Sequence, residues 1–228
     1  MAGIMVVNIV MVALNMLSIM IQDQEEHKLQ SFLVAPVSSN LLVFGYIIAA
    51  SIMSFAFGLI TLGLSQLYIL LSGGELLGLV AVLKIIGFTV VNVISIVATL
   101  FFLASFIGSS NSYSAITTTI GTLIGFVAGI YLPLGSLPET VQRVLKCFPV
   151  LYGTAGMREI YTQPAIDKVF ASAPSKAISH YKEFMGSSIV WDDHTISLSL
   201  CLLILMISAI IFTILSGIVT RRKKIADR

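Results

Sequence analysis

Charge is what this chain has least of: 11% of its residues are Asp, Glu, Lys or Arg, under half the roughly one quarter carried by an ordinary soluble domain. Water does not solvate so apolar a composition as a compact globule. With 57% of residues hydrophobic and a mean hydropathy of +1.00, lipid is the better solvent. The formal charge of +2 is too small for a nucleic-acid surface. The concentrated basic charge is confined to Arg221, Arg222, Lys223 and Lys224.

The signatures of catalysis are missing as well. No G-x-x-x-x-G-K-[ST] occurs, so the chain has no P-loop with which to hold ATP. No G-x-S-x-G nucleophile elbow is present. His27, His180 and His194 lack metal-ligand spacing with one another or with cysteine, so no metal site is expected. Cys147 and Cys201 do not form a C-x-x-C pair, and their spacing leaves open whether they are bridged. Glu25 and Glu26 do not make an intramembrane metalloprotease, which would need histidine ligands in later apolar runs.

What is present is length without charge. A helix needs about 20 apolar residues to cross a hydrocarbon core of roughly 30 Å. Residues 1–22, 41–71, 79–108 (interrupted only by Lys84), 112–133 and 197–220 each supply such a run. Membrane strands would alternate in polarity, and these runs do not. The fold class read from this is all-α, a polytopic transmembrane helical bundle of about five spanning helices plus short interfacial helices. Residues 1–228 form a single membrane domain in this reading, located in the cell membrane among its lipids. Residues 1–22 lack a basic n-region and a small-residue cleavage site and exceed a signal-peptide core, so they are read as a span.

A basic tail after the last run reads as a cytoplasmic stop. Counting back places residues 23–40 inside, residues 134–196 outside and the amino terminus outside. By parity, an upstream segment with one more span is expected. No run carries an ionisable residue near its middle, which disfavours a proton relay or voltage sensor.

Small and hydroxylated residues do form helical stripes at spacings of three and four: Ser51, Ser54, Gly58, Thr61 and Ser65; Thr89, Asn92, Ser95 and Thr99; Ser114, Thr118, Thr122, Gly125 and Gly129; and Asn8, Met11, Asn15 and Ser18. In lipid such faces let backbones approach, so they read as helix packing, with a pathway lining as the sharper alternative.

The segment DQEEHKLQSFL over residues 23–33 is polar and then amphipathic, and Pro36 follows before the next run. It is read as a short helix on the inner membrane surface, or else as a solvated turn. Its wording through VAPVS resembles the ABC-2 type permeases. GIYLPLGSLPETVQRVLKCFPVLYG over residues 129–153, LSGGELLGLV over 71–80 and IGTLIGF over 120–126 make it most similar to the multidrug and hemolysin export permeases of that family. The family's usual Arg and Gly-Thr in the first block are replaced by Lys28, Gln30 and Ser31.

The resemblance implies a permease subunit that exports a drug, peptide or toxin-like substrate and is not itself an enzyme. It needs no cofactor of its own, because ATP is hydrolysed on a partner ABC ATPase subunit. Gln24, Glu25, Glu26, His27, Lys28 and Leu29 would couple to that ATPase. A homodimer or heterodimer of permeases, without nucleic acid, is implied as well. The competing readings are a non-transporting accessory or immunity protein and a passive pore or secondary carrier.

Residues 134–196 are read as an outer segment, in which Pro164 to Thr195 form a small outer cap or linker. Val141, Val144, Leu145 and Phe148 share one face of a short interfacial helix over Glu139 to Phe148, begun after Pro138 and stopped by Pro149. Gly153 and Gly156 are expected to break or bend the chain before Arg158 and Glu159. A further helix is expected after Pro174, with Ile178, Tyr181 and Met185 on one side. Trp191 is placed as an interfacial anchor before the last span.

Overall fold

The structure, a computed structural model, describes residues 1–26, 39–74, 76–170, 175–191 and 194–226, without the side chains of residues 39, 40, 42, 168, 175, 194 and 220–226. The chain is an all-α polytopic bundle. In order it forms α1 (Ala2–Glu25), α2 (Ser39–Leu71), α3 (Leu79–Ala104), α4 (Ser110–Val127), a 3-10 turn (Leu134–Ser136), α5 (Glu139–Leu145), α6 (Pro149–Val169), α7 (Ser175–Met185), a two-residue hairpin pairing β1 (Val190–Trp191) with β2 (His194–Thr195), and α8 (Leu198–Ala226).

Among the described residues, α1, α2, α3 and α8 are the 4 helices long and apolar enough to cross a membrane. The remaining expected span, residues 112–133, yields the shorter and more polar α4. Its 18 residues rise about 27 Å at 1.5 Å each. It ends six residues early because Gly129 takes a φ of +58°, a left-handed conformation that terminates helices. Even so, α4 runs antiparallel along α1. The Ser110 amide donates to Glu25 Oε2 at 2.8 Å at one end, and at the other a Cβ on Gly3 would lie 2.7 Å from the Ala128 carbonyl oxygen. Between them the Tyr113 hydroxyl donates to the Leu14 carbonyl at 2.9 Å.

α3 is the central helix. It packs against α1, α2, α6 and α8, burying Ile85, Phe88, Val93, Ile96, Val97, Leu100 and Phe101. The outer faces of α2 and α8 stay apolar and exposed, with Phe44, Ile48, Ile52, Ile60 and Leu64 on one and Leu203, Ile207, Ile210 and Ile214 on the other. Side chains of this kind suit contact with lipid tails rather than water.

A further expectation is corrected. Gly153 and Gly156 neither break nor bend the chain: α6 runs through both as a helix of 21 residues and packs against α1, α3 and α8. The glycines are notches for α3. A Cβ at Gly153 would lie 2.1 Å from Asn92 Oδ1, and one at Gly156 would lie 2.3 Å from Phe88 Cζ. The helix propensity lost at glycine, about 1 kcal/mol each, is the cost of that close approach. Residues 134–196 therefore do more than cover the bundle; they also send a helix into it.

Around α6 the cap is short-range. α5 spans Glu139–Leu145 and buries Leu145, while Val141, Val144 and Phe148 stay exposed. Trp191 is half-exposed. Lys146 holds the hairpin, its Nζ donating to the Val190 carbonyl at 2.6 Å and standing 6.0 Å from the Trp191 ring centroid. Cys147 is exposed, Cys201 is buried, and both are free thiols.

Candidate functional site

At the end of the bundle opposite the cap, Gln24, Glu25 and Glu26 close α1 and are exposed; His27, Lys28 and Leu29 lie outside the described residues. The first part of this segment ties three helices together. The Tyr46 hydroxyl of α2 donates to Asp23 Oδ2 at 2.6 Å. Glu25 accepts from the first amide of α4, where a carboxylate also meets the positive end of the helix dipole. Ser109 completes the α4 cap by accepting from the Ser112 amide at 3.3 Å.

The hydroxyl stripes follow one bonding rule. Thr61 donates to its own helix at Phe57 O (2.8 Å), Ser65 to Leu62 O (2.7 Å) and Ser208 to Leu205 O (2.8 Å). Each hydroxyl has one proton, so each then offers only a lone pair to a neighbouring helix. Asn8 Nδ2 donates to Thr61 Oγ1 at 2.6 Å, Tyr161 to Ser65 at 3.1 Å and Ser95 to Ser208 at 2.7 Å. These bonds stitch α1 to α2, α6 to α2 and α3 to α8.

The other expected stripe residues divide by burial. Thr89 and Thr99 are buried and bond back to Ile85 O and Ser95 O; Ser51 is half-buried and bonds to Ile47 O. Ser54 and Asn92 are fully buried, and neither Ser54 Oγ nor either polar atom of Asn92 has a hydrogen-bond partner. A buried polar group left unpaired costs roughly 1–3 kcal/mol. By contrast Ser114, Thr118 and Thr122 point out of the bundle, with Thr118 and Thr122 bonded to carbonyls of α4 itself. The structure thus buries the α3 set and leaves the α4 set on the exterior.

The exterior near α4 holds one more polar group. Asn15, midway along α1, is exposed, and its carboxamide has no partner among the described residues. Gln22, two turns on, is exposed too.

The residues that the sequence reading passed over are on α6. Arg158 is half-buried, and its guanidinium gathers three carbonyls: Nη2 donates to Ala128 O at 2.6 Å and Gly129 O at 3.2 Å, and Nη1 donates to Met185 O. Those oxygens lie just past the end of α4 and at the last residue of α7. Each of these helices ends in a left-handed glycine, Gly129 at φ +58° and Gly186 at φ +70°. Two helix carboxyl ends carry about half a negative charge apiece, which together offset one guanidinium. Burial still pulls the Arg158 pKa below its ordinary value. Its neighbour Glu159 is raised above the ordinary glutamate value by burial, with Lys182 opposing the shift.

Arg158, Tyr161, Thr162 and Tyr181 line a cavity of about 530 Å³ at the cap end, together with Ile4 and Ile69. A second cavity of about 300 Å³ within the cap is lined in part by Glu139, Lys146, His180 and Glu183. Among the described residues, no group of three or more His, Cys, Asp or Glu is placed to hold a metal ion. The sequence signal for α6 was the pair Gly153 and Gly156, three residues apart and so on one helical face, where small residues let another helix approach closely.

No family model, curated protein or solved structure matches this chain.

Proposed function

We propose that this chain is a membrane-spanning permease subunit of an ATP-binding-cassette exporter, moving a drug, peptide or toxin-like substrate out of the cell. The observation that carries the reading is the polar exterior of α1 and α4: Asn15 lies exposed midway along a spanning helix, beside a helix whose outward face carries Ser114, Thr118 and Thr122. A carboxamide facing hydrocarbon is costly, so such a face requires a protein partner or water against it. A second permease copy related by a two-fold axis supplies both, because two such faces meeting across the axis enclose a polar route.

The opposite end supports the same reading. The four spanning helices have no ionisable residue at mid-span to harvest an ion gradient, and the chain has no P-loop. Energy then comes from a separate ATPase at the basic-tail side, read as cytoplasmic. Gln24 to Leu29 are the contact for it, and the Asp23–Tyr46 and Glu25–Ser110 bonds pass a push on this segment to α2 and α4.

The test is purification from native membranes in mild detergent, with identification of bound proteins and a nucleotide-hydrolysis assay. The expected result is a stoichiometric ATPase whose substrate-stimulated hydrolysis falls to the basal rate when Glu25, Glu26 and Lys28 are all replaced by Gln, membrane insertion being unchanged. A partner with no ATPase activity would favour the accessory reading, and transport that persists without nucleotide would favour the carrier; either result refutes the exporter.

A further inference from the structure

Asn92 is a costly residue to leave where it is. It sits in the central helix with no exposed surface, and both its carboxamide atoms are unpartnered. What covers it is the backbone of α6 at Gly153, whose missing Cβ lets the two helices close to contact. An apolar side chain of similar volume would pack there without the unpaired amide. The attachment of α6 is lopsided. Toward the spanning helices, among the described residues, the hydrogen bond of its side chains is the one from Tyr161 to Ser65, and the same hydroxyl lies 3.9 Å from Met5 Sδ. Toward the cap and the end of α4, Arg158 grips three carbonyls. Against α1, α3 and α8 the seat of α6 is apolar packing, while its polar anchorage lies at the ends of α4 and α7.

We propose that α6 is a movable stopper: seated, it seals Asn92 behind Gly153, and displaced, it opens the α3 face at Asn92 to water. The unpaired carboxamide opposes the closed state and is satisfied in the open one, so the two states lie close in free energy. Tyr161 to Ser65 is the latch. The inference does not rest on export, since the opening is read directly on the purified protein without nucleotide or substrate.

The experiment places a thiol at the seal with Asn92→Cys, in a background where Cys147→Ser and Cys201→Ala remove the native thiols. The folded protein in lipid nanodiscs, accessible from both sides, is exposed to a charged thiol reagent. The expected result is slow but complete labelling, accelerated about fivefold when Tyr161→Phe removes one neutral hydrogen bond. Labelling that occurs only after denaturation, or a rate unchanged by Tyr161→Phe, overturns the proposal. A second variant guards against a local packing artefact. Asn92→Leu in the native sequence is expected to melt at the same temperature as the parent or higher, because it removes the group that opposes closure. A lower melting temperature would make Asn92 a structural residue of the closed state and likewise overturn the proposal.

Discussion

The backbone of Gly129 is folded around the guanidinium of Arg158: a Cβ at Gly129 would lie 2.8 Å from Nη2, and the same nitrogen donates to the Gly129 carbonyl at 3.2 Å. Gly186 meets the guanidinium from the other side, its absent Cβ 3.2 Å from Nη1. One cation on α6 therefore closes the carboxyl ends of α4 and α7. Hydrogen bonds to charged groups are worth about 1.5–3 kcal/mol, and Arg158→Gln is expected to lose roughly 2–3 kcal/mol of stability. Gly129→Ala, which strains a positive φ and crowds the guanidinium, should cost at least about 1 kcal/mol. Denaturation in mixed micelles checks both. A neutral outcome for Arg158→Gln would mean that the helix ends cap themselves.

Much of this architecture was legible from hydropathy alone, because a bilayer imposes a length and forbids unpaired backbone. The runs 1–22, 41–71, 79–108 and 197–220 became Ala2–Glu25, Ser39–Leu71, Leu79–Ala104 and Leu198–Ala226. What local sequence could not show was the fate of α6. Glycine weakens a helix by propensity, so Gly153 and Gly156 read as breaks; tertiary contact with Asn92 and Phe88 reversed that meaning. Arg158 and Glu159 were placed only as the pair after the expected break, because nothing in their immediate neighbours announces that α4 and α7 will end beside them. The hydroxyl stripes were visible, but their partition into a buried set on α3 and an outward set on α4 depends on which helices are neighbours.

The bond between Ser95 and Ser208 is the direct polar link between α3 and α8 among the described residues, at 2.7 Å. Interhelical hydrogen bonds within membranes average about 0.6 kcal/mol. Ser95→Ala, Ser208→Ala and the double variant are expected to give a coupling energy of about that size. A coupling near zero would show that apolar packing alone joins these helices, and one several times larger would show a network beyond the pair.

Glu159 gives the fold a pH dependence of known sign. Burial raises its pKa in the folded chain above the ordinary 4.5, so the folded state holds this proton to higher pH than the unfolded state does. The resulting stabilisation is complete below the ordinary value and is lost as pH rises through the folded value. Glu159→Gln stays neutral throughout. Its melting temperature should match the parent at acid pH and exceed it at pH 8. Lys182→Met, which removes the opposing charge, should make the parent's loss on alkalinisation steeper. A difference between parent and Glu159→Gln that does not vary with pH would place the carboxylate in water.

Asn15 has no partner among the described residues, so Asn15→Leu should leave the folding stability of the isolated chain within about 0.5 kcal/mol, as for a surface change that breaks no contact. Its effect should appear instead in association. If two copies meet across α1 and α4, the two Asn15 side chains approach the two-fold axis, where a carboxamide can pair with its own counterpart. Asn15→Leu is then expected to lower the dimer fraction in mild detergent. Asn15→Cys, with the native thiols replaced, is expected to oxidise to a cross-linked dimer. Unaltered association together with absent cross-linking would remove the face from any contact between copies. Loss of stability in the monomer would mean that Asn15 serves the fold of its own chain, and the polar exterior would then no longer require a second copy.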